Sequence, residues 1–193
     1  MLNLAIVVGS VRAGRQSHKA AYYLAKKLQE RKDVNIKLID LLKYEIPMFE
    51  ERYGRVENAS PSLKEAAEIL QHADGIILQS PEYHASISGA LKNFLDYFLK
   101  ELTKKPIGVA AASGGKFGGI NASAQMQQII FGVGSFPMPT KFIVPFVSQA
   151  FDDEYNVLNE DVEKSAEKFI NEFVWFANAI NNAKLATASA EAA

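Results

Sequence analysis

The sequence predicts an α/β fold: a three-layer, doubly wound sandwich whose five-stranded parallel sheet carries helices on both faces. Three observations point there. Short apolar runs alternate along the chain with longer amphipathic stretches, the signature of repeated strand–helix–strand units. The runs at 4–8, 75–80 and 106–112 are apolar nearly throughout, as strands covered on both faces are. The turn after each of these runs is rich in glycine, hydroxyl or proline residues. Each turn falls at the carboxyl end of a strand, where sheets of this class bind ligands.

The elements follow in order. The first strand, 4–8, stops at Gly9-Ser10. Residues 17–31 place Ala20, Ala21, Leu24, Ala25 and Leu28 at helical spacing, an amphipathic helix. Residues 34–40 alternate at period two, which suits a strand nearer the sheet edge. The stretch 43–60, with Pro47-Met48-Phe49 and Tyr53-Gly54, is too long for a plain connection and is a candidate functional loop. A helix opens at Ser60-Pro61, with Pro61 in its first turn and Ser62 and Glu65 as a capping box. The third strand, 75–80, ends at Pro81 and leads to a helix over 88–100. The fourth strand, 106–112, precedes a glycine-rich loop and a helix over 121–131. The fifth strand lies within 140–147. The last helix, 161–180, buries Val162, Ala166, Phe169, Ile170, Phe173, Ala177 and Ile180. One domain over 1–183 is expected, followed by an alanine-rich tail, 184–193, that carries no apolar stripe and reads as disordered.

Composition removes several kinds of chemistry. The 193 residues include no cysteine, which excludes disulfides, iron–sulfur clusters, thiolate zinc sites and a cysteine nucleophile. Three histidines, far apart in sequence, argue against an all-histidine metal site, and no metal is expected. The 21 basic and 22 acidic residues nearly cancel and form no basic stripe, so no nucleic-acid partner is expected. No leader and no apolar run of membrane-spanning length is visible, and the expectation is a cytoplasmic protein without a membrane partner.

The three turns carry the candidate chemistry. The first, Gly9-Ser10-Val11-Arg12-Ala13-Gly14-Arg15-Gln16-Ser17, puts hydroxyls, glycines and two arginines at a helix amino terminus, where free N–H groups and the helix dipole favour a phosphate. The same segment also reads as a helix cap with two solvated arginines. The second, Ser80-Pro81-Glu82-Tyr83-His84-Ala85-Ser86-Ile87-Ser88-Gly89, offers a stiff loop, two flat side chains and backbone amides suited to the edge of a planar heterocycle. In its bland reading Glu82 is a solvated loop charge and His84 is structural. Lys92 and Asp96 form a helical i, i+4 pair on a wet face, and Asn93 is suited to a hydrogen bond that fixes the loop. The third, Ser113-Gly114-Gly115-Lys116-Phe117-Gly118-Gly119, has the glycine content for close approach to a ligand, or for a plain flexible connection.

Taken together, Gly9-Ser10-x-Arg12 with Ser17, the run from Pro81-Glu82-Tyr83-His84 through Gly89 and Leu91-Lys92-Asn93 to Asp96, and the 113–119 loop resemble the NADPH-dependent FMN reductase family. Its members include quinone, azo-dye and chromate reductases. The resemblance implies a flavodoxin-like sandwich with strand order 2-1-3-4-5, a bound FMN, NAD(P)H as co-substrate and a small-molecule electron acceptor. It also implies a homodimer or homotetramer. Exposed apolar groups expected at Pro47-Met48-Phe49 and Val174-Trp175-Phe176 point the same way.

Carried over by position, Ser10, Arg12, Gln16 and Ser17 would hold the FMN phosphate. Arg15 would join them or reach the incoming NADPH. Pro81, Glu82, Tyr83 and His84 would line the flavin ring, largely through backbone groups, and Ser113, Gly114, Gly115, Lys116 and Phe117 would close over it. The chain departs from the family pattern in a longer first turn, in His84 where asparagine is common, in Ser88 where proline is common, and in Tyr97 where tryptophan is frequent. The expected activity passes hydride from nicotinamide through FMN to a quinone, azo compound, flavin or similar acceptor in two half-reactions. The flavin carries the chemistry, so no catalytic side chain is required. The alternatives are a non-enzymatic flavodoxin-type electron carrier and a binding module on the same fold. The near-neutral charge favours the enzyme, because carriers are steered to their partners by strong acidity.

Overall fold

In a computed structural model that describes residues 1–191, strands of seven to nine residues alternate with helices as the apolar runs require. The order is β1 (Leu2–Val8), α1 (His18–Gln29), β2 (Val34–Asp40), α2 (Pro61–His72), β3 (Gly75–Pro81), α3 (Gly89–Tyr97), β4 (Pro106–Ala112), α4 (Ile120–Gly132), β5 (Phe136–Val144), α5 (Val147–Ala150) and α6 (Glu160–Glu191). A single 3₁₀ turn, Tyr53–Arg55, interrupts the long loop after β2. The strands are all parallel in the order β2-β1-β3-β4-β5. The central strands β3 and β4 are buried at every position, and the alternating β2 forms one edge.

Alternation along the strands divides the core in two. Leu4, Ile6, Val8, Ile77 and Ala110 face α1 and α6, whereas Ala5, Val7, Ile76, Leu78 and Val109 face α2, α3 and α4. The order of strand addition reverses beside β1, with β2 added on one side and β3 on the other, so the carboxyl ends of β1 and β3 open a crevice between their turns. Gly9 stands at this point because nothing larger fits. A Cβ there would lie 2.6 Å from the Gln79 carbonyl oxygen.

Several boundaries differ from the sequence reading for local reasons. Ser60, not Ser62, caps α2: its hydroxyl accepts the Leu63 N–H at 3.2 Å, with Pro61 behind it in the first turn. β5 begins at Phe136, four residues before the expected start, and ends at Val144. Pro137 and Pro139 lack the N–H a central strand needs, but β5 is an edge strand, where their loss is tolerated at the cost of an irregular register against Ile107 and Val109. The strand stops at Pro145, and Phe146, at φ 46°, turns the chain into α5. The expected disordered tail is helical as far as it is described. α6 continues through 184–191, a segment rich in alanine, the best helix former. Residues 192–193 lie outside the described residues.

The loop after β2 is pinned where its sequence looked loose. The Asn93 side-chain amide donates to the Pro47 carbonyl at 2.7 Å and accepts the Phe49 N–H at 2.8 Å. Asn93, expected to fix the second turn, instead fixes the 43–60 loop. Phe49 meets the Tyr97 ring edge-on at 5.3 Å, while Met48 stays exposed. The Lys92–Asp96 pair forms at 2.6 Å on the exposed face of α3.

Candidate functional site

The three turns meet. A cleft of about 240 Å³ at the carboxyl ends of β1, β3 and β4 is lined by Arg12, Gly14, Arg15, Gln16 and Ser17 from the first turn. Pro81, Glu82 and Tyr83 come from the second turn, Ser113 and Gly114 from the third. Ala112, Val147 and Ser148 complete it. Ser10 lies buried beneath, its hydroxyl 3.3 Å from the Tyr83 hydroxyl. Five expected residues stand outside the lining: the buried Ser10, and His84, Gly115, Lys116 and Phe117, which are exposed, with the Lys116 ammonium 5.0 Å over the Phe117 ring. A larger hollow of about 420 Å³ lies around Asn3, Asn35 and His72, among charges of both signs and with no unpartnered buried polar atom in its lining among the described residues.

The first turn gathers donors without acceptors. Ser17 precedes α1 and its hydroxyl is buried without a partner. The N–H groups of Gln16, Ser17 and His18 find no acceptor in the described chain, as expected at a helix start. The Arg12 guanidinium is exposed at the rim.

Arg15 is placed differently. Its guanidinium makes two 2.6 Å bonds to the Asp40 carboxylate and a third, also 2.6 Å, to the Ser10 carbonyl. Burial alone would raise the Asp40 carboxyl, but bonds from Arg15, the Tyr22 hydroxyl and the Leu42 N–H outweigh it and hold the group below its ordinary range. His18 is edge-on to Tyr22 and Tyr155, and burial, with Arg15 and Lys19 adding to it, lowers its imidazole against the pull of Asp40.

The second turn is rigid. Tyr83 and Ser86 exchange both backbone bonds, at 2.9 and 3.0 Å, around His84 and Ala85, whose φ values of 51° and 59° make a two-residue hairpin turn of the left-handed kind. Gln125 of α4 accepts the Ser86 hydroxyl at 2.6 Å and the Ile87 N–H at 3.0 Å. Glu82 is neither a free acid nor a solvated charge: its carboxylate accepts the N–H groups of Asn121 and Ala122 at the start of α4. Ser88 caps α3 by accepting the Leu91 N–H at 3.1 Å, and its own hydroxyl donates to the Gly9 carbonyl, which locks the second turn to the first. In the third turn Gly118, at φ 63°, packs so close that a Cβ would fall 2.5 Å from the Ile143 Cγ2.

A family model described as NADPH-dependent FMN reductase matches residues 2–149. The chain belongs to that family. Among the NADPH-dependent FMN reductases and related proteins, it is 32% identical over 146 residues to an NADPH azoreductase of Bacillus sp. (strain OY1-2), covering 74% of this chain and 76% of that one. It is 28% identical over 178 residues to an FMN-dependent NADPH-azoreductase of Staphylococcus saprophyticus, covering 89% and 93%. The flavoenzyme NAD(P)H:(acceptor) oxidoreductase of Paracoccus denitrificans shares the fold, at 24% identity and a TM-score of 0.77 over 93% of this chain and 98% of that one. The chain is therefore an oxidoreductase of the NADPH-dependent FMN reductase family, with FMN and NAD(P)H as cofactor and co-substrate, which sets aside the electron-carrier and binding-module readings. The cleft suits the group: an orphaned hydroxyl and free amides wait for a phosphate at one end, and a stiff turn and a glycine loop flank the other.

Asp40, Gly14, Val147 and Ser148 escaped the sequence reading. Asp40 ends an edge strand beside β1, a position that was itself the available signal. Val147 and Ser148 were hidden by placing the end of β5 three residues too late.

Proposed function

We propose that the chain is an FMN-dependent reductase that draws hydride from NADH or NADPH and delivers it to a quinone, azo compound, flavin or similar small acceptor. The observation that carries the reading is the cleft itself, which joins three turns of the sheet end around the buried, unpartnered Ser17 hydroxyl.

FMN, when bound, would supply the hydride-transfer chemistry that the side chains lack. The protein's residues bind and orient. Ser10, Arg12, Gln16 and Ser17 hold the phosphate at the start of α1, each charge-assisted bond contributing roughly 1.5–3 kcal/mol. Pro81 and Tyr83 wall the ring. The N–H groups of Glu82 and His84, free of acceptors in the described chain, would be available to stabilise charge on the ring edge. Ser113 and Gly114 would border the ring from the third turn, with Gly115, Lys116 and Phe117 as the exposed rim beside them.

The names of the relatives, azoreductases and a quinone reductase of Escherichia coli (strain K12), support acceptors of this kind. Trp175, Phe131 and Phe117 are 71%, 68% and 66% exposed, apolar surface that supports a homodimer or homotetramer. No helix among the described residues is long and apolar enough to cross a membrane, and a cytoplasmic location is part of the proposal.

The test is a steady-state screen of FMN-loaded protein with both nicotinamides against several acceptors. Parallel double-reciprocal lines are expected, whereas intersecting lines, or no turnover with any acceptor, overturn the reading. Sedimentation as a pure monomer removes the oligomer.

A further inference from the structure

We infer that Asp40 is a positioning residue for the cofactor phosphate and acts through Arg15. The pair is a strut that sets the first turn and leaves Arg12 as the cation that meets the phosphate. The inference rests on the FMN site proposed above.

Arg15 lines the cleft, yet its charge is spent. Both arms of its fork lie on Asp40, and one of them also reaches the Ser10 carbonyl, every bond at 2.6 Å. The side chains of Arg15 and Asp40 are only 9% and 3% exposed. The Asp40 carboxylate is saturated by the Tyr22 hydroxyl at 2.8 Å and the Leu42 N–H at 3.1 Å. One carboxylate at the end of β2 therefore ties together the first turn, α1 and the chain leaving the strand. The Ser10–Tyr83 contact carries the tie into the second turn. A buried, fully bonded pair of this kind serves registry better than net stability.

Two readings of Asp40 differ in sign. As an uninvolved negative charge near a phosphate site, it opposes FMN, and its neutralisation frees Arg15 and tightens binding. As the foot of a strut, its neutralisation lets Arg15 and Ser10 shift and loosens binding.

The experiment measures FMN and riboflavin dissociation constants by flavin fluorescence for apo wild type, Asp40→Asn and Arg15→Lys, with far-UV circular dichroism of each apoprotein. Asp40→Asn is expected to weaken FMN at least about tenfold while riboflavin, which lacks the phosphate, stays within about threefold of wild type. Arg15→Lys keeps a cation but not the fork, and is expected to weaken FMN by a similar factor. FMN binding that is unchanged or tighter in Asp40→Asn overturns the strut. If Asp40→Asn does not fold, Arg15→Lys decides: wild-type affinity overturns the strut and loss of affinity supports it. A wild-type protein that binds no FMN overturns the cofactor site itself, an outcome visible before any variant is compared.

Discussion

Glu82 caps a helix that starts far along the chain: its carboxylate takes the Asn121 backbone N–H at 2.9 Å and the Asn121 side-chain amide at 3.1 Å. The second and third turns are thereby one unit, because α4 begins where the glycine loop ends. Replacing Glu82 by alanine leaves those donors to water. The expected loss is about 1–2 kcal/mol, or roughly 2–8 °C in Tm. Glu82→Gln, which keeps one acceptor oxygen, should lose less. Thermal melts of the apoproteins check the order, and equal melting of Glu82→Ala and wild type refutes the cap.

Gln79 is fully buried on the face of β3 that also carries Ile77, and neither atom of its amide has a partner. Leucine there removes the desolvation cost without opening a cavity. Gln79→Leu is expected to gain about 1–2 kcal/mol in denaturant unfolding. A loss of stability instead means that the amide is satisfied in solution.

Gly9→Ala should be destabilising by about 1–3 kcal/mol, since its Cβ meets the Gln79 carbonyl at 2.6 Å and the Leu91 Cβ at 3.0 Å. FMN affinity should fall with it, because the Gly9 carbonyl receives Ser88. Gly132→Ala is the control: open space surrounds that position, and a gain of about 0.4–1 kcal/mol is expected. Similar losses in both variants count against the close approach at Gly9.

Two half-buried groups contribute to the pH dependence of the apoprotein. His18, lowered from 6.5 chiefly by burial, takes up its proton later in the folded than in the unfolded chain. Stability is therefore full above about pH 6.5 and declines below it. Asp40 is held below its ordinary 3.8, so its contribution is present above that pH and is lost as pH falls through the folded value. Melts from pH 8 to pH 3 should show both declines. His18→Gln should remove the first, and Asp40→Asn the second.

Most of the sheet was legible because burial on both faces leaves an unbroken apolar run, as at β3 and β4. The start of β5 was not, since Pro137 and Pro139 argue locally against a strand and only its edge position permits them. The three turns and nine of the lining residues were legible from residue type. What could not be read were the partners. Glu82 looked like a solvated loop charge and Arg15 like a free cation, because Asn121 and Asp40, which engage them, are brought close only by the fold.

The final helix is two structures end to end. At about 1.5 Å per residue its 32 residues reach roughly 48 Å, against roughly 30 Å for nine residues of β5. Its first two-thirds or so is ordered by Phe169, Phe173 and Ala177 against the sheet, and Asn181 makes a last bond to the Asp74 carbonyl. Beyond that, the described side chains are exposed and only the helix's own bonds hold the chain. That outer third is a handle: it is the place to shorten, label or tether the protein while the sheet end proposed for the flavin goes undisturbed.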